Sequence, residues 1–180
     1  MKSASLIEAM RRCLTDGEDL VCQLDDKTYV RRAPEVMNGS VGGHYRHILD
    51  HFRNLLEGDF EGQLDYDCRA RNTPVETRRD SALAETRRLI ALIDALDEVW
   101  FDRQLEVKTR IHYGDSTSTS VGSTFGREAV FCVMHAVHHY ALIRVICGRI
   151  GCELPSTFGV APSTVAATAS CLQPAAIGSS

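Results

Sequence analysis

The sequence predicts an all-α chain: a four-helix bundle with a small β-hairpin before its last helix. Four long segments carry apolar residues at helical spacing. A strong helix-start signal sits at Thr73, and only one short stretch alternates apolar with polar. Long helices with little strand pack best as a bundle, whose inward side chains often build metal sites.

Each element has a local reason. Over residues 4–24, Leu6, Ile7, Met10, Leu14, Leu20, Val21 and Leu24 recur at roughly helical intervals, weakened by Gly17. Asp25 to Asn38 contains Pro34 and reads as a connector. Ser40 caps a second helix that runs to about Leu56 and stops at Gly58. Residues 59–72 read as irregular and polar. Thr73-Pro74-Val75-Glu76 offers an N-cap Thr, a Pro at the first helical position and a Glu at the capping-box position, so a third helix is expected to about Leu96. Leu105 to Ile111 alternates, Gly114-Asp115 offers a turn, and Thr117 to Thr124 is β-prone, which predicts the hairpin. A fourth helix runs from Phe125 to Ile150, about 39 Å at 1.5 Å per residue, with Gly151 as its C′ residue. Residues 1–160 therefore form one helical domain. The Ala/Ser/Thr-rich stretch 161–180 is expected to be a loosely ordered tail.

Bulk properties narrow the function. The chain has 180 residues, a net charge of -4 and 44% hydrophobic residues, as an ordinary single globular domain has. A net negative charge argues against nucleic acid, because phosphate affinity needs clustered positive charge. Neither a charged-then-apolar leader nor an apolar run long enough for a bilayer is read, so no membrane partner is expected. Seven scattered cysteines without a CxxC fit reduced thiols and a cytoplasmic location. No Gly-rich phosphate loop, GxSxG or HExxH occurs.

The histidines point to metal. Six of the seven fall in two clusters, His44, His47 and His51 on the second helix and His135, His138 and His139 on the fourth. Imidazole is the commonest ligand for borderline transition metals, and residues one turn apart share a helix face. Cys132, His135, His139, Leu142 and Ile146 form one stripe, so His135 and His139 interrupt an apolar seam, at a cost unless each finds a partner. His44, His47 and His51 fall within about a 60° arc, and at least one of them is expected to complete the site. Periodicity alone favours His44 or His51 over His47. A histidine-rich, thiolate-free set suits Zn, Ni, Cu or Fe(II), and three histidines leave positions for water. Asp50 and His51 are candidates for proton transfer beside such an ion. Tyr66 to Arg71 places Asp, Arg and Arg in an extended stretch, read as a surface salt-bridge cluster rather than an anion site.

His47-Ile48-Leu49-Asp50 and the His-x-x-His-His element at His135, His138 and His139 resemble the DinB/YfiT-like superfamily, over most of residues 5–150. The resemblance implies an up-down-down-up bundle, often a homodimer, with a divalent metal (Zn, Ni or Fe) on His47, His135 and His139. It further implies a metal-dependent enzyme acting on a small-molecule substrate, as a hydrolase or thiol S-transferase. The alternative is a non-catalytic metal-binding or stress-response protein with a structural or vestigial site.

Overall fold

The computed structural model describes residues 2–34, 38–58, 62–68, 73–112 and 117–171. Helix α1 (Lys2–Gln23) is followed by the short α2 (Asp26–Val30) and by α3 (Val41–Glu57). Strand β1 (Gln63–Asp65), the single turn α4 (Pro74–Thr77) and α5 (Arg79–Asp94) come next. A 3-10 turn over Glu98–Asp102 leads into β2 (Gln104–Thr109), β3 (Thr119–Thr124), α6 (Phe125–Arg149) and α7 (Pro162–Cys171). The tail expected over 161–180 therefore begins with a helix, and residues 172–180 lie outside the described residues, as do 113–116 of the expected turn.

An all-α bundle is not what forms. The chain is mixed, with a three-stranded sheet of order β1-β2-β3 beside the helices. β2 and β3 pair antiparallel, Gln104 opposite Thr124 and Thr109 opposite Thr119. β1 then joins β2 in parallel, Leu64 opposite Val107, and the Glu106 N–H donates to the Gly62 carbonyl at 2.8 Å. Three residues with one buried side chain, Leu64, are too short for an alternation signal, so β1 is invisible in the sequence. Gly62 turns the chain into β1 at φ +86°, a conformation that costs glycine least.

The helices pack in pairs, α1 against α5 and α6, and α3 against α5 and α6. Ser40 caps α3 by accepting from the Gly43 N–H at 3.0 Å, and Thr124 caps α6 by accepting from the Arg127 N–H at 3.2 Å. The capping box at Thr73 does not form: its side chain makes no cap hydrogen bond, and Glu76 pairs with Arg46 instead. The expected single helix from Thr73 to Leu96 breaks at Arg78, whose extended backbone (φ -130°, ψ 115°) separates α4 from α5.

Three buried tyrosines tie the elements. Tyr29 donates to the Val75 carbonyl at 2.7 Å, Tyr140 to the Cys13 carbonyl at 2.8 Å, and Tyr45 lies 2.7 Å from the Thr86 hydroxyl. Each hydroxyl satisfies its polarity while the ring fills the core. α6 is, by length and composition alone, long and apolar enough to cross a membrane, contrary to the expectation from sequence. Its buried side chains pack on α1 and α3, as a helix of a globular core does.

Gly42 sits where α3 meets α4: a Cβ there would collide with the Glu76 carbonyl oxygen and the Tyr29 ring. A backbone oxygen cannot swing aside, so Gly42→Ala should lower stability by about 1–3 kcal/mol. Gly148→Ala, facing open space within α6, should raise it by up to about 1 kcal/mol. Urea denaturation of both variants checks this, and equal effects would show that the α3–α4 contact is looser than described.

Candidate metal centre and its cavity

α3 and α6 face one another with their histidines at the same level. The half-buried His47, His135 and His139 each offer a ring nitrogen, and these three atoms lie within 4.8 Å of one another. The Nε2 atoms of His47 and His135 are 3.0 Å apart. Two nitrogens each about 2.1 Å from one ion stand about 3.0 Å apart at a right angle and about 3.4 Å apart at the tetrahedral angle. The observed separation fits shared coordination as well as it fits one imidazole donating to the other.

The actual seam of α6 differs from the expected stripe. Ala129, Cys132, Ala136, Tyr140, Ile143 and Cys147 are buried, while His135 and His139 lie half-buried on its flank and His138 is exposed. His135 and, across the seam, His47 and His51 line a cavity, so these imidazoles reach open space without leaving the helix interface.

The other cluster members divide by face. His44 places Nδ1 3.0 Å from Nδ1 of His139, and its buried Nε2 has no hydrogen-bond partner. Contact at Nδ1 turns Nε2 of His139 away from His44, the tautomer control that ligand histidines commonly show. Among the groups pushing His139 down to about 3, burial is largest, followed by the charges of His135 and His44. Burial also lowers His44. His139 is thereby kept neutral near pH 7, as a metal ligand must be.

His51, one of the two residues expected to move protons, lines the cavity. Its Nδ1 lies 3.0 Å from the His47 carbonyl oxygen, and its ring stacks on His135 at 4.2 Å and on Tyr66 at 4.9 Å. Asp50 does not join it. Its buried carboxylate pairs with Arg53 at 2.8 Å and Arg46 at 3.3 Å, in a network that continues to Glu85 and Glu76. Consecutive helix residues diverge by about 100°, so Asp50 and His51 cannot serve one face.

The cavity measures about 490 Å³ and lies between the histidines, the sheet and the segment after β1. Its walls include His51, Tyr66, Val107, Glu128, Phe131 and His135. Glu128, only 2% exposed, is the feature that sequence reasoning missed. It accepts from Tyr66 Oη at 2.9 Å, Ser123 Oγ at 2.6 Å and Arg127 Nη1 at 3.0 Å, joining three elements on one carboxylate. It is a first-turn acid of α6, a position where helices commonly carry a negative charge for the dipole alone, so the sequence does not single it out. Of the Tyr66 to Arg71 segment, residues 69–71 lie outside the described residues. Tyr66 itself is buried, and Asp67 accepts from the Arg110 N–H at 2.7 Å.

No family model matches the chain, and no solved structure matches it. It is 39% identical over 102 residues to FK506-binding protein 5 of Rhizopus delemar, and those residues are 57% of this chain and 26% of that protein. The chain thus spans about a quarter of the length of the curated relative it matches. These findings overturn the DinB/YfiT-like reading, because no model of that family matches and the relative that does match is named for binding FK506. The hydrolase and thiol S-transferase activities, and the stress-response alternative, fall with it. Two short histidine motifs carried the resemblance, and a shared face one turn apart is a property of any α-helix rather than of one family.

Removing a proton from an imidazole on folding has a pH signature. The unfolded chain takes up a proton at His139 near its ordinary 6.5, whereas the folded site resists until about 3. Metal-free protein should therefore lose stability as pH falls through that interval. His139→Gln should flatten the slope. Urea midpoints measured between pH 7 and 4 test this, and an unchanged slope in the variant would contradict it.

Proposed function

We propose that this chain is a metal-loaded ligand-binding unit. His47, His135 and His139 hold one divalent ion of the Zn, Ni or Fe class, and the adjoining cavity admits a small molecule beside it. The observation that carries the reading is the convergence of three half-buried imidazoles from two helices within 4.8 Å. The donor set fits such an ion: three imidazole nitrogens, with no thiolate and no carboxylate within the group. A bound ion would act as a Lewis acid toward a ligand entering from the cavity side. The protein's own residues supply the rest. His44 orients His139, and the α3–α6 seam keeps His47 and His135 at fixed separation. Tyr66 and Phe131, with ring centroids 5.2 Å apart, give the ligand an apolar wall.

A second reading draws on the relative. An identity of 39% over 102 residues supports a common origin for that stretch, and the Rhizopus protein is named for FK506 binding. In this reading the chain itself takes FK506, or shares the peptidyl-prolyl isomerase activity that such a name suggests. The name describes a whole protein of which the match covers 26%. The histidine centre therefore carries the first reading, and the name alone carries the second.

Purified protein, loaded with Zn(II) and then dialysed, should retain about one ion per chain by elemental analysis. His135→Ala and His139→Ala should each lose it, with affinity falling at least tenfold. Full metal content in both variants would overturn the metal assignment. FK506 added to the same protein separates the readings. Raised melting with FK506 and unaltered melting with metal would favour the second; the reverse supports the first.

A further inference from the structure

We propose that Cys147 and Cys152 form a redox pair that closes a disulfide across the C-terminal end of α6. The two residues sit at defined positions of the helix stop. Arg149 is the last helical residue, Ile150 the cap, and Gly151 turns the chain at φ +80°. The Cys152 N–H then donates to the Cys147 carbonyl at 2.9 Å. That is the six-to-one hydrogen bond of a Schellman stop, in which the residue after the glycine packs against the residue five positions earlier. In a Schellman stop an apolar pair frequently fills those two places. Here both places are taken by thiols, Cys152 held one residue past the turn by that 2.9 Å backbone bond.

Their environments differ in the way a sulfenic-acid route needs. Cys147 is fully buried and Cys152 is partly exposed. Burial pushes the Cys147 thiol up to about 12, so it stays protonated and unreactive toward solvent oxidants. Cys152 meets the oxidant first. With a peroxide, the Cys152 sulfur attacks one oxygen, the O–O bond breaks, the leaving hydroxide takes the Cys152 proton as water and Cys152 becomes a sulfenic acid. The Cys147 sulfur then attacks the Cys152 sulfur, the S–O bond breaks, and the Cys147 proton leaves with the hydroxyl as water. Two thiols and one hydrogen peroxide give one disulfide and two waters.

The bridge has a structural consequence. The chain after Cys152 folds back along α6, where Arg144 Nη1 donates to the Ser156 carbonyl at 2.8 Å and the Phe158 ring packs at a tilt against Tyr140, centroids 4.8 Å apart. This returning segment is one wall of an apolar groove of about 720 Å³, with α1 as the opposite wall. A disulfide fixes the point where the wall leaves the helix. The reduced chain holds that point by the Cys152 N–H bond to the Cys147 carbonyl and by the packing of Leu154 and Phe158 on the core, with no covalent link.

Trypsin makes the test direct. Cleavage at Arg144 and Arg149 puts Cys147 on the peptide Val145–Arg149 and Cys152 on the peptide that begins at Ile150. Reduced full-length protein is treated with equimolar hydrogen peroxide, alkylated, digested and mapped by mass spectrometry. The two peptides should emerge joined, with the loss of two hydrogen masses, and separate on reduction. Cys171 lies on the second peptide, so C171S must keep the linkage and C152S must abolish it. Linkage lost in C171S, or Cys152 carried to sulfinic acid while Cys147 stays alkylatable, would overturn the proposal. C152S removes only the partly exposed thiol and keeps the core intact, so the test does not depend on the folding of C147S.

Discussion

The seam between α3 and α6 governs the rest of the molecule. The two helices pack together, and Tyr45, Ile48 and Phe52 of α3 and Ala129, Cys132 and Ala136 of α6 are all removed from water. Such burial fixes the rotation of both helices, because turning either by one residue would expose a row of core side chains. Once that rotation is set, the flanking residues have no choice of direction. His47 must face His135, and His44 must face His139. A polar cluster of this kind lowers stability unless its nitrogens are occupied, so the apolar floor sustains what the flank would otherwise undo.

The sheet is the second constraint on the site. Without β1 beside β2, the segment carrying Tyr66 would have no fixed place against α6. Glu128 completes the fastening by accepting from Tyr66, Ser123 and Arg127. Buried carboxylates persist only with several donors, and these come from the segment after β1, from β3 and from α6 itself. The cavity therefore has one wall from the helices and another from the sheet, and both depend on the first turn of α6.

Local chemistry explains which features the sequence discloses. Ser40, Gly58 and Gly151 mark helix ends by mechanisms confined to a few residues, and these read through directly. Histidine spacing discloses which imidazoles share a face, so the two clusters could be paired before any fold was known. Tertiary effects did not read through. Arg78 breaks the third helix although its sequence has no breaker, because α4 is held by Tyr29 and Arg46. Asp50 was expected beside the ion on the strength of adjacency to His51, yet Arg46 and Arg53 hold it on another face. β1 and the role of Glu128 depend on partners more than 40 residues away, and no periodicity reports those. The family resemblance failed for a related reason: it rested on helix-turn spacing, which many unrelated helices satisfy.

X-ray absorption at the metal edge of Co(II)- or Zn(II)-loaded protein interrogates the three-imidazole centre most directly. The account predicts a first shell of nitrogen and oxygen near 2.0–2.1 Å, with outer-shell scattering from about three imidazole rings. His47→Ala should remove one ring from that count. A sulfur shell near 2.3 Å, or a spectrum of the hydrated ion without imidazole scattering, would contradict it.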